Sequence, residues 1–351
     1  MRPSLAERID GCLVAGAVGD ALGAPIEFMS RAEILGRVGP AGVREYLDGD
    51  GHITDDTQMT LFTAEGLIRT RVRREQKGIA DEASMIDHAY TRWLRTQGLV
   101  SERWGEEADD GWLVNEPAMN VRRAPGNTCI TAMSGAQAGS IERPINESKG
   151  CGGVMRVAPV GLIPGLTADL RFRLGAESAA LTHGHPSGFL SAGFLAAMIG
   201  ALGEGADPLA AAQIAREELV EWDENFETRR FVDSAIERAE DLGPPTPELL
   251  DGFGEGWVAE EALGISLWAA LSAKSITSGL TAAVTHSGDS DSTGAITGNL
   301  LGATFGISAV PRGLIDGLCE REIVQSIATD LFLALASEEM SAEIIERYPG
   351  V

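Results

Sequence analysis

Positive charge, aromatic residues and cysteine are all scarce in this chain. Its 351 residues hold 28 Lys and Arg against 52 Asp and Glu, a formal net charge of −24. Nucleic acid and anionic membranes are recognised through a basic face, so neither is expected as a partner. The four cysteines, at 12, 129, 151 and 319, form no CxxC pair and are too sparse for a disulfide framework. The N-terminal decapeptide has no apolar signal core. The longest uncharged apolar stretch, from Ser187 to Gly203, falls short of the ~20 residues that span a bilayer and reads as a buried helix. A monomer in a reducing cytoplasm is the expectation. Period-2 alternation of β-branched residues is also missing, which argues against strands.

What is present is helical. Hydrophobic residues make up 44 % and charged residues 23 %, the proportions of a globular chain able to bury a core. Ser4 is placed to cap a helix carrying Leu5, Ile9, Leu13, Ala17 and Leu22, and Thr54 to open another with Met59, Phe62, Leu67 and Ile68. Further helices are expected over 84–96, 209–220, 228–242, 258–272, 292–305 and 313–337. Residues 24–53, 98–125 and 243–256 read as irregular. The whole of 1–351 reads as one all-α domain with long loops, and long loops inside a domain commonly carry function.

Two helix starts carry chemistry. Thr54-Asp55-Asp56-Thr57 supplies hydroxyls and two adjacent carboxylates, and Asp289-Ser290-Asp291-Ser292-Thr293 supplies two more carboxylates with hydroxyls. Alone, the first suits a cap with an acidic first turn and the second an Asx-turn leading into a cap. Together, four aspartates balance the charge of two divalent cations, and hard oxygen donors suit Mg²⁺ or Mn²⁺, not zinc. Two such ions ~3.5–4 Å apart can clamp a substrate oxygen and orient a water. Between these motifs, Ser148-Lys149-Gly150-Cys151-Gly152-Gly153-Val154-Met155-Arg156 offers backbone N–H groups beside two cations, and Thr182-His183-Gly184-His185 sets two histidines close together.

Taken in order, five segments resemble the ADP-ribosylglycohydrolase family: Gly16 to Glu27, Thr54 to Thr57, Lys149 to Arg156, Thr182-His183, and Gly288 to Ser292. The resemblance implies a compact orthogonal helical bundle with a binuclear Mg²⁺ or Mn²⁺ centre. Its metal ligands would be Thr54, Asp55, Asp56, Asp289, Asp291 and Ser292, with Thr293 an alternative hydroxyl to Ser292. Substrate contacts would come from Lys149, Gly150, Cys151, Gly152, Gly153, Met155 and His183. Cys151 stands where the family often has Asn, and Glu27 matches a carboxylate on a flap over the metals. The partner would be an ADP-ribosylated protein or ADP-ribose. The field holding this anionic group would come from the metals, backbone N–H groups, Lys149 and Arg156. A carboxylate among Asp55, Asp56, Asp291 and Glu27 would act as acid or base at the distal ribose.

The implied reaction is removal of ADP-ribose from a modified side chain. His183-Gly184-His185-Pro186 leans toward arginine linkage, and serine linkage or a free conjugate stays open. Rival readings are a two-metal phosphoester hydrolase, which would release AMP, and a protein that neutralises an ADP-ribosylating toxin by binding. The acidic residues Glu106, Glu107, Asp109 and Asp110 are expected either to attract a guanidinium or to be a solvated loop.

Overall fold

The computed structural model describes residues 2–47, 49–103 and 111–350. In chain order the helices are α1 (Leu5–Gly23), α2 (Arg31–Val38), α3 (Asp55–Lys77), α4 (Glu82–Thr96), α5 (Asn127–Ser134), α6 (Ala158–Gly161), α7 (Ala168–Ala180), α8 (Pro186–Gly203) and α9 (Pro208–Val220). They continue as α10 (Phe226–Leu242), α11 (Pro247–Leu250), α12 (Ala259–Ser272), α13 (Ile276–Val284), α14 (Ser290–Phe305), α15 (Arg312–Asp316), α16 (Arg321–Ala336) and α17 (Ala342–Arg347). Among the described residues extended pairing is limited to isolated bridges, Gly51 with Leu318 and Gly150 with Val258. The fold is all-α, as the missing period-2 pattern implies.

Local signals start the helices. Ser4 accepts from the Glu7 amide while Glu7 reaches back to the Ser4 N–H, a capping box. Thr54 caps α3, and Asp289 caps α14 by accepting from Ser292 N. The same box at Ser30 and Glu33 opens α2 inside a stretch expected to be irregular. Only Ile34 is buried there, so α2 shows no apolar stripe in sequence. The helices α5, α7 and α13 were likewise not anticipated, because small residues carry much of their buried faces. Residues 313–337 form two helices rather than one. Gly51 N donates to Gly317 O and Cys319 N to Gly51 O, and this pairing draws the chain out of helix between α15 and α16.

The centre of the molecule is the antiparallel seam of α1 and α14, both buried along nearly their whole length. A Cβ on Gly302 would stand 1.9 Å from the Gly11 carbonyl oxygen, and one on Gly294 2.3 Å from that of Gly19. Backbones this close admit no side chain between them. The seam sets the C-terminal turn of α1, with Asp20, beside the N-terminal turn of α14, with Asp289 and Asp291. Residues 5–26 and α8 are each long and apolar enough to cross a membrane, but 83 % and 89 % of the respective windows are buried against other helices. The stretch from Ser187 is therefore the buried helix expected of it.

Candidate active site

Asp20 links the two acidic helix starts. It is fully buried in the last turns of α1 and accepts from Thr54 N at 2.9 and 3.1 Å and from Thr54 Oγ1 at 2.9 Å. It also accepts from Thr57 N at 3.1 Å and Thr57 Oγ1 at 2.5 Å. Four donors from the first turn of α3 thus converge on one carboxylate of α1. Because α1 also lies along α14, Asp20 brings Asp55 and Asp56 to the same cavity as Asp289 and Asp291. Sequence reading gave Asp20, inside the segment Gly16 to Glu27, no role of its own. Its signal was the one charged residue between Gly11 and Gly23.

The cavity measures about 350 Å³. Its walls include Glu27, Asp55, Asp56, Asp289, Asp291 and Ser292, the loop residues Gly150, Cys151 and Gly152, and Met155 and His183. Phe28, Trp257 and the segment from Ala124 to Cys129 complete it, and sequence reading had given none of these a role. The Thr293 hydroxyl faces inward, within hydrogen-bond distance of the backbone carbonyls of Ala283 and Asp289 and 2.8 Å from His286 Nε2. Ser292 is therefore the hydroxyl that reaches the cavity.

Expected contacts outside the cavity are Thr54, Lys149, Gly153 and Arg156. The Thr54 hydroxyl is engaged by Asp20 and by Asp56 N. The Lys149 ammonium sits 2.7 Å from Glu260 and 2.9 Å from Glu227. These ion pairs tie the loop to α10 and α12, and backbone bonds add to them: Ala259 N donates to Lys149 O and Cys151 N to Trp257 O. Gly153 is buried, and a Cβ there would meet Ala179 Cβ at 2.9 Å. Arg156 is fully buried, 4.1 Å over the Tyr90 ring, and donates to Thr182 Oγ1 at 2.7 Å. It supports His183, whose Nδ1 lies 2.7 Å from the same hydroxyl. Burial, and then Arg156, lowers the His183 pKa to about 3, so the ring is neutral and its Nε2 lies beside Gly150 and Gly152. Glu106, Glu107, Asp109 and Asp110 lie outside the described residues.

The electrostatics of the cavity are unfavourable without a cation. Burial first, then repulsion led by Asp291, raises Asp55, Asp56 and Asp289 well above the usual carboxylate range. Burial likewise raises Asp291, brings Asp20 to about 7 together with Asp291, and brings Glu27 to about 8 together with Asp291 and Asp55. Among the described residues no Lys or Arg pairs with these carboxylates. Asp56 Oδ2 is buried with no hydrogen-bond partner, and a buried acceptor left so is costly. The Cys151 thiol donates to Asp289 Oδ2 at 2.9 Å. Among the described residues no group of three or more His, Cys, Asp or Glu is placed closely enough to hold a metal ion as it stands. The orphaned oxygen and the crowd of hard donors nonetheless fit divalent cations of the Mg²⁺ or Mn²⁺ kind.

Comparison with known proteins agrees with this arrangement. The family model described as ADP-ribosylglycohydrolase matches residues 1–340. The ADP-ribosyl-[dinitrogen reductase] glycohydrolase of Rhodospirillum rubrum is 27 % identical over 95 % of this chain and 98 % of its own. The ADP-ribosylarginine hydrolase Tri1 of Serratia proteamaculans is 24 % identical over 95 % of this chain and 81 % of its own. A solved structure titled ADP-ribosylglycohydrolase-related protein complex superposes with a TM-score of 0.66 at 25 % identity, over 95 % of this chain and 99 % of that one. With a cavity that gathers the acidic starts of α3 and α14, and a match over nearly its whole length, the chain belongs to the ADP-ribosylglycohydrolase family of hydrolases.

Proposed function

We propose that the protein removes ADP-ribose from arginine side chains of a modified protein, by hydrolysis of the bond at the anomeric carbon of the distal ribose. The observation that carries this is the buried, unpartnered Asp56 Oδ2 in a cavity walled by Asp55, Asp289 and Asp291 with no side-chain cation. Metal dependence is general in the family. Asp55, Asp56, Asp289, Asp291 and Ser292 would hold two Mg²⁺ or Mn²⁺ ions, with Thr54 at their edge. Bound there, such ions would position ribose hydroxyls and favour attack by water.

The chain's own groups do the rest. Gly150 and Gly152 let a diphosphate approach the backbone, and a Cβ at Gly152 would stand 3.0 Å from both Cys129 Sγ and His183 Cε1. His183, neutral and fixed by Thr182, offers a polar ring atom to the same group. An aspartate among Asp55, Asp56 and Asp291 takes the proton of the attacking water. Glu27, next in the chain to the mouth residue Phe28, is assigned the proton transfer to the departing nitrogen. The transition state of such a cleavage resembles an oxocarbenium ion. Arginine linkage is supported by the two relatives named ADP-ribosylarginine hydrolase. A reducing cytoplasm suits the four unpaired thiols, and a monomer is the proposed working form.

Peptides mono-ADP-ribosylated on arginine or on serine, incubated with the protein with and without Mg²⁺, test the reading by mass. Free ADP-ribose from the arginine peptide, dependent on Mg²⁺, is the expected result. AMP would assign a phosphoester hydrolase, and ADP-ribose from serine alone would reassign the linkage.

A further inference from the structure

A second group of metal-ligating side chains lies away from the cavity, where residues 50–53 run beside 317–320. Backbone pairing holds the two segments together: Gly51 N donates to Gly317 O and Cys319 N to Gly51 O, each at 2.9 Å. The pairing sets the exposed side chains of His52 and Cys319 face to face, with His52 Nε2 3.6 Å from Cys319 Sγ. On the other side of the ring, His52 Nδ1 lies 3.1 Å from Glu320 Oε1. Glu320 is buried and held in place. It accepts from Ile53 N at 3.2 Å and from Arg123 at 2.8 Å, and Arg123 also donates to Ile53 O at 2.9 Å. A carboxylate oxygen so engaged only accepts, so Nδ1 carries the ring hydrogen and Nε2 turns its lone pair to the thiol.

We infer that Cys319 and His52 form a further metal site, for a borderline divalent cation of the Zn²⁺ kind, separate from the acidic cavity. The inference does not depend on the hydrolase reading. Zinc binds thiolate at ~2.3 Å and imidazole at ~2.0–2.1 Å, and at a tetrahedral angle these lengths set sulfur and nitrogen about 3.6 Å apart. The two donors already stand at that separation. A carboxylate on the far ring nitrogen is the partner that metal-bound imidazoles use, since it fixes the tautomer and makes the ligating nitrogen more basic. Thiolate and imidazole select zinc over magnesium, whereas Asp55, Asp56, Asp289 and Asp291 offer hard oxygen. The Cys319 proton leaves to solvent as the ion binds, and water takes the two remaining positions on the exposed side. The surroundings suit a cation better than they suit a nucleophile. Partial burial first, then Glu320 and Asp50, raise the Cys319 thiol, so the pair is not a preformed thiolate. The same two acids attract a divalent ion, and Arg123 spends its charge on Glu320.

The probe is Co²⁺, which accepts the ligands of zinc and reports a bound thiolate by a charge-transfer band in the near ultraviolet. Full-length protein in excess Mg²⁺, which supplies the acidic cavity with a hard cation, is titrated with Co²⁺ and then with Zn²⁺. A thiolate–Co²⁺ band is expected that saturates at one ion per chain and that Zn²⁺ abolishes. Cys319→Ser, at an exposed side chain, is expected to remove the band. His52→Ala and Glu320→Gln are both expected to weaken Co²⁺, the first more than the second. About tenfold is expected for Glu320→Gln, which keeps an acceptor for the ring but loses the charge. Cys151→Ser, which deletes the thiol of the cavity, is expected to leave the band in place. An ion held by residues 267 apart in the chain also joins two segments of the folded state. Zn²⁺ is therefore expected to raise the melting temperature of wild type and not that of Cys319→Ser. No band in wild type would overturn the inference. So would a band that persists in Cys319→Ser and vanishes in Cys151→Ser, which would place the thiolate in the cavity. Co²⁺ affinity unchanged in His52→Ala would overturn it as well, by reducing the site to a thiol alone.

Discussion

Along the seam of α1 and α14, glycine lets two buried helices touch backbone to backbone. At the mouth, Phe28 is forced to a positive φ with its ring in solvent. The first region is relaxed and close-packed, with no room for a methyl group between Gly302 and Gly11. The second holds strain that packing does not repay. The difference separates two demands on one cavity. The seam must hold Asp20 near Asp289 and Asp291 within a fraction of an ångström, whereas the mouth must offer a surface and let a product leave.

The comparison is broken most severely at the seam. Gly302→Val would drive a branched side chain into the Gly11 carbonyl, and a loss of about 3 kcal/mol of stability is expected by denaturant midpoint. A wild-type midpoint would mean that the two helices are free to separate. Asp20→Asn comes next. It keeps an acceptor for the α3 turn but removes the charge and turns an amide toward two hydroxyls, so the first turn of α3 loses its alignment. Affinity for Mn²⁺ by calorimetry is expected to fall about 10- to 100-fold, the usual cost of losing a group that orients metal ligands.

The third prediction uses pH. In metal-stripped protein Asp20 and Glu27 titrate at about 7 and about 8, above their unfolded values. Between roughly pH 4 and 8 the folded state then holds more protons than the unfolded state, so stability must fall as pH rises through that window. The slope is about 1.4 kcal/mol per pH unit for each proton held. The melting temperature of stripped protein is expected to decline from pH 5 to pH 8, and Mg²⁺ to flatten the decline. A stripped protein that gains stability over this range would show that these carboxylates do not repel. The smallest effect belongs to the mouth. Phe28→Gly accepts the positive φ without strain and is expected to raise stability by about 1 kcal/mol, while KM for an ADP-ribosyl-arginine substrate rises. Opposite signs for stability and binding at the mouth, and a loss of both at the seam, would sharpen the contrast.

Much of this was legible locally. The caps at Ser4, Thr54 and Asp289 are read from three or four neighbouring residues, because the capping bond closes within one turn. The box at Ser30 and Glu33 was equally local, and was missed because α2 buries little more than Ile34. The break at 317–320 was illegible, since its cause is Gly51, more than 260 residues away. Lys149 and Arg156 illustrate the same limit at the site. Both sit in a loop that lines the cavity, yet one side chain turns to Glu227 and Glu260 and the other to Tyr90 and Thr182.

From the order of residues alone came the helical class, the two acidic helix starts and the kind of cation their oxygens suit. These depend on donor chemistry and on hydrogen bonds spanning a few residues. Packing decided that α3 and α14 meet, that Asp20 joins them, that Ser292 and not Thr293 reaches the cavity, and that Phe28 lies on Trp257. Such directions are set by which backbones come into contact, and at the seam that contact is possible only because glycine leaves nothing in between.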